Sequence, residues 1–482
     1  MKQLVRSTIA AALVTTFTAP MALADDTKDF GLRVEQMLSA YSEILFGFEK
    51  PLVASAPATT GPYRTLEQKA TEQVLIAKGL KVEYLTRNAA NATDMMAFFP
   101  AENPSYLISC VEGSRAEIAT GQYNPSVQRV NLATGEVATI LRGMSGCDGI
   151  RTTPWGTILA TEEKTDGGAY EILDPISVNN QTVLDRASGA VTDPAHIVKR
   201  TALPTMAWEG LAVLPSGVVI AGDELRPGSA SADADGGAIF KFVPSAPRTG
   251  DAKITSLAES PLSFGFVYAL QVSCVNDKQQ YGQGCEIGNA AWLPVNAATA
   301  RVDADLKGAT GFYRPEDLHQ DMMYTNTTSP SAVRFCWTNT GNEDAGNYAE
   351  VMCGVDKDPL IADSAQRTVT LNRFVEGDAD FNSFDNLDFQ PKTGNVYVVE
   401  DHPNGDIFAC LPDGADRDIK TDGCVKMLSV KDSSAEPTGF IFTADGSTAY
   451  VSIQHSDDTN MPTVDNYGTD DILKITGFKV RK

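Results

Sequence analysis

Histidine is almost missing from this chain of 482 residues. Only four histidines occur, scattered at His196, His319, His402 and His455. Zinc and di-iron sites usually take several imidazole ligands, so this count excludes a histidine-rich centre of that kind. His455 lies at a predicted strand end, and it is the one histidine that we consider as a ligand.

Clusters of basic residues are missing as well. The chain has 39 lysine and arginine residues against 62 aspartate and glutamate residues, which gives a formal net charge of −23. Binding of nucleic acid requires a basic footprint, so a nucleic-acid partner is excluded. The excess of acid favours solubility, and it also offers the carboxylate oxygens that hard cations prefer as ligands.

Several motifs of common enzymes are absent too. The chain has no Gly-x-Ser-x-Gly elbow, no Rossmann glycine motif and no P-loop. These absences exclude a serine hydrolase of the nucleophile-elbow kind and the two common nucleotide-binding loops. No apolar stretch after the N-terminus is long enough to cross a bilayer, so we expect no membrane span.

The N-terminus has the three parts of a secretory signal peptide. Lys2 and Arg6 form the basic region, an apolar stretch follows from Ile9, and Ala22 and Ala24 form a small-residue cleavage site. No twin-arginine pair is present. We predict a signal peptide over residues 1–24 and a soluble, monomeric protein that is periplasmic or secreted.

Eight cysteines agree with an oxidising compartment. Six of them form neighbouring pairs that close short loops: Cys274 with Cys285, Cys336 with Cys353, and Cys410 with Cys424. Cys110 and Cys147 remain. Either they form a disulfide or Cys147 is a free thiolate, and the residues alone leave both alternatives open.

One phrase recurs about six times along the chain. It consists of an acidic start, a turn with glycine, an apolar strand and an acidic end. Its copies are the half-formed PSYLISCVEG that ends at Gly113, CDGIRTTPWGTILATEE from Cys147, WEGLAVLPSGVVIAGDE from Trp208, RPEDLHQDMMYTNTTS from Arg314, FDNLDFQPKTGNVYVVEDH from Phe384 and PTGFIFTADGSTAYVSIQH from Pro437. Ring closure buries both faces of such repeats without long exposed edges. We therefore predict an all-β, six-bladed β-propeller, with seven blades as the alternative count.

The chain before the repeats has a different sequence pattern, which is typical of helices rather than of strands. FGLRVEQMLSAYSEILFGF and LEQKATEQVLIAKGL carry apolar residues at helical spacing, and a stretch rich in Pro, Ala, Thr and Gly separates them. We predict a small, partly helical N-terminal extension over residues 25–80, packed on a propeller catalytic domain over residues 81–482. The N-terminal strands and the final strand of the propeller are expected to share one blade.

The acidic starts and ends of the repeats are expected to surround one axis, because the innermost strands of a propeller line its channel. Many carboxylates in one cavity repel one another unless cations lie between them. Calcium or another hard cation is the expected ion. The residues of this set are Asp148, Glu162, Glu163, Glu209, Asp223, Glu224, Glu316, Asp317, Asn386, Asp388, Glu400, Asp401 and Glu436.

Cys147 and Arg314 are the exceptions in this acidic set. A thiolate among carboxylates suits iron better than calcium. Arg314 lies in the phrase Tyr-Arg-Pro-Glu-Asp. Its guanidinium either pairs with Glu316 or Asp317, or grips an anionic group that is held against the cations.

Several of these segments resemble those of the PhoX alkaline phosphatases. They are CDG…TPWGTILATEE, WEG, AGDE, YRPED and EPTGFIFTADGSTAYVSIQH, which follow the family's order from about Cys110 to the C-terminus. The resemblance implies a six-bladed propeller whose channel holds ferric iron and calcium and which hydrolyses phosphate monoesters. The chain departs from the family in four respects: it has no twin-arginine signal, it has Gly-Cys-Asp-Gly instead of Asn-Cys-Ala-Gly around Cys147, it has Trp208 instead of histidine before Glu209, and it has extra cysteines that include Cys110.

The resemblance also implies roles for single residues. Arg314 would bind the phosphate of the substrate, a small phosphate ester, and Arg314 and Glu316 would be the catalytic residues. The implied metal ligands are Cys147, as an iron thiolate, and Glu162, Glu163, Glu209, Asp223, Glu316 and Glu436. Bound cations would neutralise the phosphate oxygens and the charge that develops in the transition state. A disulfide at Cys147 would remove the thiolate on which part of this prediction depends.

Two other functions also fit the residues. A calcium-dependent propeller hydrolase such as a lactonase needs one calcium ion, which Glu209, Asn386 and the strand-end acids would hold. A non-catalytic propeller that binds a partner or a polymer needs no metal. Turnover of phosphate esters and the metal content of the protein distinguish these alternatives.

Overall fold

The structure is a computed structural model that describes residues 30–61, 63–228, 236–272, 287–412, 423–458 and 460–480. The predicted signal peptide over residues 1–24 and the predicted pair Cys274–Cys285 lie outside these residues. None of the helices within the described ranges is long and apolar enough to cross a membrane.

Strands dominate the described residues, and the predicted all-β class is confirmed. The helices are short and few: α1 Phe30–Ala40, α2 Ser42–Leu45, α3 Ala70–Gln73 and α4 Ala300–Leu306. The strands of the first half are β1 Val74–Ile76, β2 Lys81–Ala90, β3 Thr93–Phe99, β4 Tyr106–Val111, β5 Glu117–Ala119, β6 Gln122–Tyr123, β7 Pro125–Asn131, β8 Val137–Arg142, β9 Cys147–Thr152, β10 Thr157–Glu162, β11 Ala169–Leu173, β12 Gln181–Asp185, β13 Ala190–Val191, β14 Ile197–Lys199 and β15 Trp208–Val213. The strands of the second half are β16 Val219–Asp223, β17 Ile239–Pro244, β18 Gly265–Val272, β19 Gly288–Val295, β20 Pro315–Gln320, β21 Val333–Asn339, β22 Glu350–Asp356, β23 Val369–Glu376, β24 Phe384–Phe389, β25 Val396–Glu400, β26 Asp406–Cys410, β27 Cys424–Val430, β28 Glu436–Phe442, β29 Thr448–Gln454 and β30 Thr469–Thr476.

Most of these strands form antiparallel sheets that follow the order of the chain. The sheet orders are β3-β4-β7-β8 with β12 and β13 added, β9-β10-β11-β14, β24-β25-β26-β27 with β1 added, and β28-β29-β30-β2. A nine-stranded sheet runs from β15 through β18 and β19 to β23 and ends at β20.

Six strands at the ends of these sheets form a closed ring. β3, β9, β15, β20, β24 and β28, here called the inner strands, contact one another in this order, and β28 contacts β3 again. The space that they enclose is called the channel below. The ring closes because the N-terminal strand β2 pairs with the last strand β30, for example Val82 with Ile475. This pairing confirms the prediction that the two ends of the chain share a sheet.

The turn after an inner strand explains the glycine of the repeated phrase. Gly156 and Gly217 have backbone φ angles of +86° and +92°. Their amides donate to the carbonyls of Thr153 and Leu214, at 3.0 and 2.9 Å. Because residues with a β-carbon rarely adopt such a φ angle, the Pro-x-Gly pattern marks the hairpin between an inner strand and the next strand outward.

Each inner strand carries the same bulge near its start. In β15, Trp208 pairs with Asp223 and Leu211 pairs with Ala221, so three steps on the inner strand match two on its partner. The register shifts by one residue in the same way in β3, β9, β20, β24 and β28. A bulge turns a side chain out of the ordinary alternation and increases the local twist. The repetition of this bulge places equivalent side chains around the channel.

Glycine after the acid of a bulge allows neighbouring inner strands to approach closely. A β-carbon at Gly210 would lie 1.8 Å from the amide nitrogen of Leu318, and one at Gly149 would lie 2.0 Å from the carbonyl oxygen of Glu209. Neither distance is compatible with a side chain. In the Asp-Gly and Glu-Gly pairs of the repeated phrase, the glycine therefore allows the inner strands to come into contact, and the acid before it supplies the carboxyl group.

The strand with the acidic end is the second strand from the channel, which corrects one reading of the repeat. β10 ends in Glu162 and β16 ends in Asp223, and both strands lie outside an inner strand. The two strands are antiparallel, so the start of the inner strand and the end of the second strand lie at the same end of the sheet. Acids from both strands therefore still converge on one end of the channel.

The N-terminal extension packs on the sheet of β24–β27. Leu38, Phe46 and Phe48 share a buried apolar cluster with Leu428 and Val430 of β27. The helix predicted over residues 66–80 is wrong for most of its length, because only α3 is helical and β1 then pairs with β27. Pairing with an available sheet edge outweighs the weak helical preference of this segment.

Two of the predicted disulfides lie between strands. Cys336 bonds to Cys353 across β21 and β22, and Cys410 bonds to Cys424 across β26 and β27. In both cases the cysteines face each other directly in the strand register. These two predictions are confirmed.

Candidate metal centre

The bulges bring five carboxyl groups to equivalent positions around the channel. They are the residues that follow the first paired residue of each bulge, and the sixth inner strand has Gly439 at this place. The five acids, called the carboxylate ring below, are Asp94, Asp148, Glu209, Glu316 and Asp385. Asp385 is half-buried and the other four are buried.

Three members of the carboxylate ring form a compact cluster. One carboxylate oxygen from each of Glu209, Glu316 and Asp385 lies within 4.8 Å of the others. Asp148 and Glu209 are also in hydrogen-bond contact through their side chains. Oxygen atoms at this spacing, contributed by separate strands, are close enough together to ligate one cation.

Several oxygens of the carboxylate ring have no partner among the described residues. They are Asp148 Oδ1, Glu209 Oε2 and Glu316 Oε2, and all three are inaccessible to solvent. A buried carboxylate oxygen without a hydrogen bond costs about 1–3 kcal/mol. Oxygen donors that are aimed at one space and lack protein partners fit hard cations such as calcium.

The pKa values of the carboxylate ring are also consistent with a site for hard cations. Burial raises the pKa of Asp148, Glu209, Glu316 and Asp385 well above the usual range, and the neighbouring acids add to the effect. Burial and Glu112 raise the pKa of Asp94 to about 7. Without cations, the acids reduce their repulsion by binding protons, and bound cations replace those protons.

A second group of acids lies next to the ring, where the second strands end. Glu163 is hydrogen-bonded to Glu224, and Asp401 is hydrogen-bonded to Glu436. Burial raises the pKa of Glu436 to about 9, and Asp401 contributes to the shift. Each of these carboxyl pairs must share a proton or a cation.

Arg314 is held among these acids by three of them. Its Nε contacts Glu224 and lies 2.8 Å from Glu316 Oε1, and its Nη1 lies 2.6 Å from Asp401 Oδ2. The described residues place no acceptor at Nη2. Burial acts to lower the pKa of Arg314, but the three carboxylates raise it, so the guanidinium is charged. Nε and Nη1 are thus held, and the N–H groups of Nη2 are available to donate to an anion.

The backbone of Arg314 supports this fixed position. Its φ angle is +60°, which is unusual for a residue with a side chain. The Arg314 amide donates to the carbonyls of Phe312 and Leu225 at 3.0 and 3.2 Å, and its carbonyl accepts from the Thr340 amide at 3.2 Å. A strained conformation of this kind costs about 1–3 kcal/mol and is found where neighbouring contacts impose it, often at functional sites.

Two of the predicted metal ligands have other partners. Glu162 accepts from Arg186 Nε at 2.6 Å and from the amides of Ser145 and Gly168. Asp223 accepts from Arg301 at 2.7 Å and from the Ala207 amide at 3.0 Å. Glu400 occupies the equivalent strand end and accepts from the amides of Asn382 and Asp406 at 3.0 Å. These acids tie the ends of the sheets together, and the structure does not bring them into the carboxylate ring.

The next residue after each of these acids faces the channel instead. Glu163 follows Glu162, Glu224 follows Asp223, and Asp401 follows Glu400. All three have carboxyl or arginine partners at the acidic end of the channel. Successive side chains of a strand point to opposite sides, so only the second acid of each pair belongs to the candidate site.

Three other predicted residues, Asp317, Asn386 and Asp388, have partners on other inner strands. Asp317 Oδ1 accepts from Arg151 Nη2 at 2.7 Å, and His319 lies between Asp317 and Asp388, at 3.0 and 3.4 Å. Burial acts to raise the pKa of Asp317, but His319 and Arg151 lower it to about 2. Asn386 accepts from Thr438 and from the Gly439 amide. These residues connect inner strands and do not contribute oxygens to the ring.

Cys147 is the clearest correction to the predicted site. Its sulfur is bonded to Cys110, so it is not a thiolate and cannot be the expected iron ligand. Cys110 lies at the end of β4, a second strand, and Cys147 begins the inner strand β9. Both cysteines belong to a buried apolar cluster with Met95 and Ile108.

Two members of the ring, Asp94 and Asp385, were missed. Asp385 precedes Asn386 in the phrase Phe-Asp-Asn, and alternation alone does not show which of the two faces the channel. Asp94 lies in the strand before the half-formed first repeat, where no glycine follows the acid. Aligning the first residues of all inner strands would have identified both.

His455 Nε2 lies 3.4 Å from Glu436 Oε1, and the imidazole is 48% exposed.

The raised pKa values predict how stability depends on pH when no cations are bound. A carboxyl group whose pKa is raised on folding stabilises the protein below its ordinary pKa near 4, and this contribution is lost as the pH rises through the folded value. Asp94, at about 7, and Glu436, at about 9, place the loss between pH 5 and pH 9. In excess chelator, Tm is expected to fall by about 5 °C or more across this range.

Calcium should remove most of this decrease, because cations replace the protons. Thermal melts at pH 5, 7 and 9, with chelator and with saturating calcium, measure both effects. A Tm in chelator that is constant or rises with pH would contradict the prediction.

Comparison with known proteins identifies the family. The family model described as alkaline phosphatase PhoX matches residues 190–457, which is more than half of the chain. A comparison with curated protein sequences gave no match. Of the residues described above, the match includes Glu209, Arg314, Glu316 and Asp385, whereas Asp148 precedes it.

Solved structures show a similar fold. Pseudomonas fluorescens PhoX in complex with vanadate, a transition-state analogue, has a TM-score of 0.59 and 18% identity, over 90% of this chain and 98% of that one. The PQQ-bound aldose sugar dehydrogenase from Streptomyces coelicolor has a TM-score of 0.41 and 12% identity, over 82% and 98% of the two chains. A putative gluconolactonase has a TM-score of 0.38 and 10% identity, over 83% and 93%.

At these identities the structures support the fold alone, and the two lower scores carry no argument. The family model matches sequence, and it spans the segments that hold Glu209, Arg314 and Glu316 in a propeller-like fold. On this basis the protein belongs to the PhoX alkaline phosphatase family and is a metal-dependent phosphatase that hydrolyses phosphate monoesters.

Proposed function

We propose that a phosphate ester binds at the acidic end of the channel, between Arg314 and cations held by the carboxylate ring. The observation that carries this proposal is the position of Arg314, whose Nε and Nη1 are held by acids while Nη2 has no acceptor among the described residues. With Nε and Nη1 held, the guanidinium is oriented so that the N–H groups of Nη2 can donate to phosphate oxygens.

We propose Glu209, Glu316, Glu163 and Glu436 as metal ligands, as the sequence predicted, with Asp385 added. The spacing within 4.8 Å supports Glu209, Glu316 and Asp385, and buried unpartnered oxygens further support Glu209 and Glu316. Glu163 and Glu436 are supported by their contacts with the carboxyl groups of Glu224 and Asp401. Calcium is the cation that an all-carboxylate set favours. Ferric iron is also a hard cation, so carboxylates alone are compatible with it. Glu162 and Asp223 are left out, because arginines and backbone amides occupy their oxygens.

The cations would neutralise the phosphate oxygens and make an attacking oxygen available at neutral pH. The side chains perform the remaining tasks. Arg314 orients the ester and balances the charge that develops on the phosphoryl oxygens in the transition state. Glu316 fixes Arg314 Nε and accepts from Thr340, so it connects the phosphate-binding group to the cluster. Glu224 and Asp401 keep the guanidinium from rotating away.

The fold proposal is a six-bladed propeller. The nine-stranded sheet divides at β19 into two units, β15–β18 and β20–β23, and each unit contributes one inner strand. Together with the other four sheets, these units account for six bulged inner strands in a ring. We keep the proposed boundaries of a signal peptide over 1–24, an extension over 25–80 and the propeller over 81–482. Export to the periplasm or beyond, and a monomeric state, are likewise proposed.

Hydrolysis of p-nitrophenyl phosphate by the purified protein, with and without calcium, tests the proposal. We expect activity that chelator removes and that calcium, alone or with ferric iron, restores. A panel of lactones run in parallel tests the alternative hydrolase, and the metal content of the purified protein tests the alternative of a metal-free binding propeller. Turnover of lactones without turnover of phosphate esters would overturn the proposal, and so would full activity in excess chelator.

A further inference from the structure

The inner strand β9 presents two neighbouring candidates for a metal ligand, and they face opposite ways. Cys147 is bonded to Cys110 in an apolar cluster that also contains Ile150 and Ile158. Asp148 is only 3% exposed and contacts the carboxyl group of Glu209. The different contacts of the two side chains, an apolar cluster for Cys147 and a ring carboxyl group for Asp148, place only Asp148 toward the channel.

The register of the sheet identifies which residue of β9 corresponds to the other ring members. Cys147 pairs with Glu162 and Ile150 pairs with Ala160, so the bulge begins at Asp148. In β15 the corresponding residue is Glu209, which follows Trp208. In β20 it is Glu316, which follows Pro315. Asp148 therefore takes the place on β9 that Glu209 and Glu316 take on their strands.

The free oxygen of Asp148 provides an independent indication. Asp148 Oδ1 is inaccessible to solvent and has no hydrogen-bond partner among the described residues. Glu209 Oε2 and Glu316 Oε2 are likewise inaccessible to solvent and without a hydrogen-bond partner among the described residues. Three buried and unpartnered carboxylate oxygens thus lie on three successive inner strands, and a bound cation would satisfy them where the protein does not.

We propose that Asp148, and not Cys147, is the metal ligand on β9, and that the centre binds hard cations through carboxylate oxygens alone. The proposal rests on the proposed function only in assuming that cations occupy the centre. A sulfur atom in a disulfide is not a thiolate, so iron bound through sulfur is excluded. The disulfide instead ties β9 to β4 beneath the ring. Asp148 lies ahead of residues 190–457, which match the family model, so the assignment of this ligand rests on the structure of this chain and not on the match.

Two variants distinguish the role of Asp148 from the role of Cys147. Asp148→Asn keeps the size of the side chain and removes its charge, whereas the double variant Cys110→Ser/Cys147→Ser removes the disulfide and leaves the ring intact. Calcium titration of the chelator-treated full-length protein by calorimetry is the main measurement. We expect Asp148→Asn to bind calcium at least about 10-fold more weakly, because an anionic ligand is lost. The double variant should keep the calcium affinity and lose thermal stability.

Two measurements on the wild-type protein do not depend on the folding of either variant. Protein reconstituted with ferric iron should show no sulfur-to-iron charge-transfer absorption in the visible region. Alkylation without reductant, followed by peptide mass spectrometry, should leave Cys147 unmodified. A charge-transfer band, alkylation of Cys147, or an unchanged calcium affinity in Asp148→Asn would overturn the proposal.

Failure of the proposed function is distinguishable from failure of this inference. A protein that binds calcium through Asp148 but hydrolyses no phosphate ester would refute the function and leave the ligand assignment in place. A protein that is an active phosphatase with unchanged calcium affinity in Asp148→Asn would refute the assignment alone.

Discussion

Replacing Arg314 with alanine is expected to lower kcat/KM for p-nitrophenyl phosphate by about 10²–10³-fold, the range seen when one charge-stabilising group is removed from an active site. The guanidinium is the only cationic side chain that contacts Glu224, Glu316 and Asp401 together among the described residues. Its removal takes away the group proposed to orient the phosphate. The inhibition constant of inorganic phosphate should rise as well, because the same group binds the product.

The conservative variant Arg314→Lys distinguishes the effect of the positive charge from the effect of the planar guanidinium. Lysine supplies a positive charge to the three acids but lacks the planar fork, so it should restore stability more than activity. Arg186→Lys is a matched control, since Arg186 pairs with Glu162 at the edge of the sheet. This control should affect Tm and leave kcat/KM close to the wild-type value. Wild-type kcat/KM in Arg314→Ala would show that the phosphate binds elsewhere.

The second large effect is expected for Glu209→Gln, which should lose bound metal and at least about 100-fold in kcat/KM. Glu209 belongs to the cluster with Glu316 and Asp385, and its Oε2 has no protein partner. Glutamine keeps the shape of the side chain but offers a neutral oxygen, so a multiply charged cation binds less strongly. Metal per chain, measured by inductively coupled plasma mass spectrometry, should decrease together with the activity.

Asp223→Asn is the matched control for this prediction, because Asp223 lies opposite Trp208, next to Glu209. Its carboxylate binds Arg301 and a backbone amide, so its loss should lower Tm. The metal content should stay at the wild-type level. If Asp223→Asn lost metal and Glu209→Gln did not, our division between ligands and structural acids would be wrong.

The paired acids show where reasoning from the sequence stops. Glu162-Glu163, Asp223-Glu224 and Glu400-Asp401 read alike as strand-end acids. In the structure, the first member of each pair binds arginines or backbone amides, and the second faces the channel. The sequence identifies the place in the repeat, but the direction of each side chain depends on the register against the neighbouring strand.

Cys147 and Asp148 are a second case of the same kind. A cysteine next to an acid at the start of a repeat is compatible with both a thiolate ligand and a disulfide. The bulge in β9 places Asp148 in the ring, and the disulfide with Cys110 holds the sulfur in an apolar cluster. Resemblance to a family identifies the segment that contains the ligand more reliably than it identifies the ligand itself.

The sequence alone determined the class of the fold, the pairing of an N-terminal strand with the last strand in one sheet, two disulfides and the acidic character of the site. These features follow from local periodicity, turn chemistry and composition, which each segment carries by itself. Only the tertiary structure decided which acids meet, that Asp94 and Asp385 are among them, and that Arg314 is held through Nε and Nη1 and not through Nη2. The reason is physical: a bulge shifts the side-chain direction by one residue, and contact between strands far apart in the chain selects the partners.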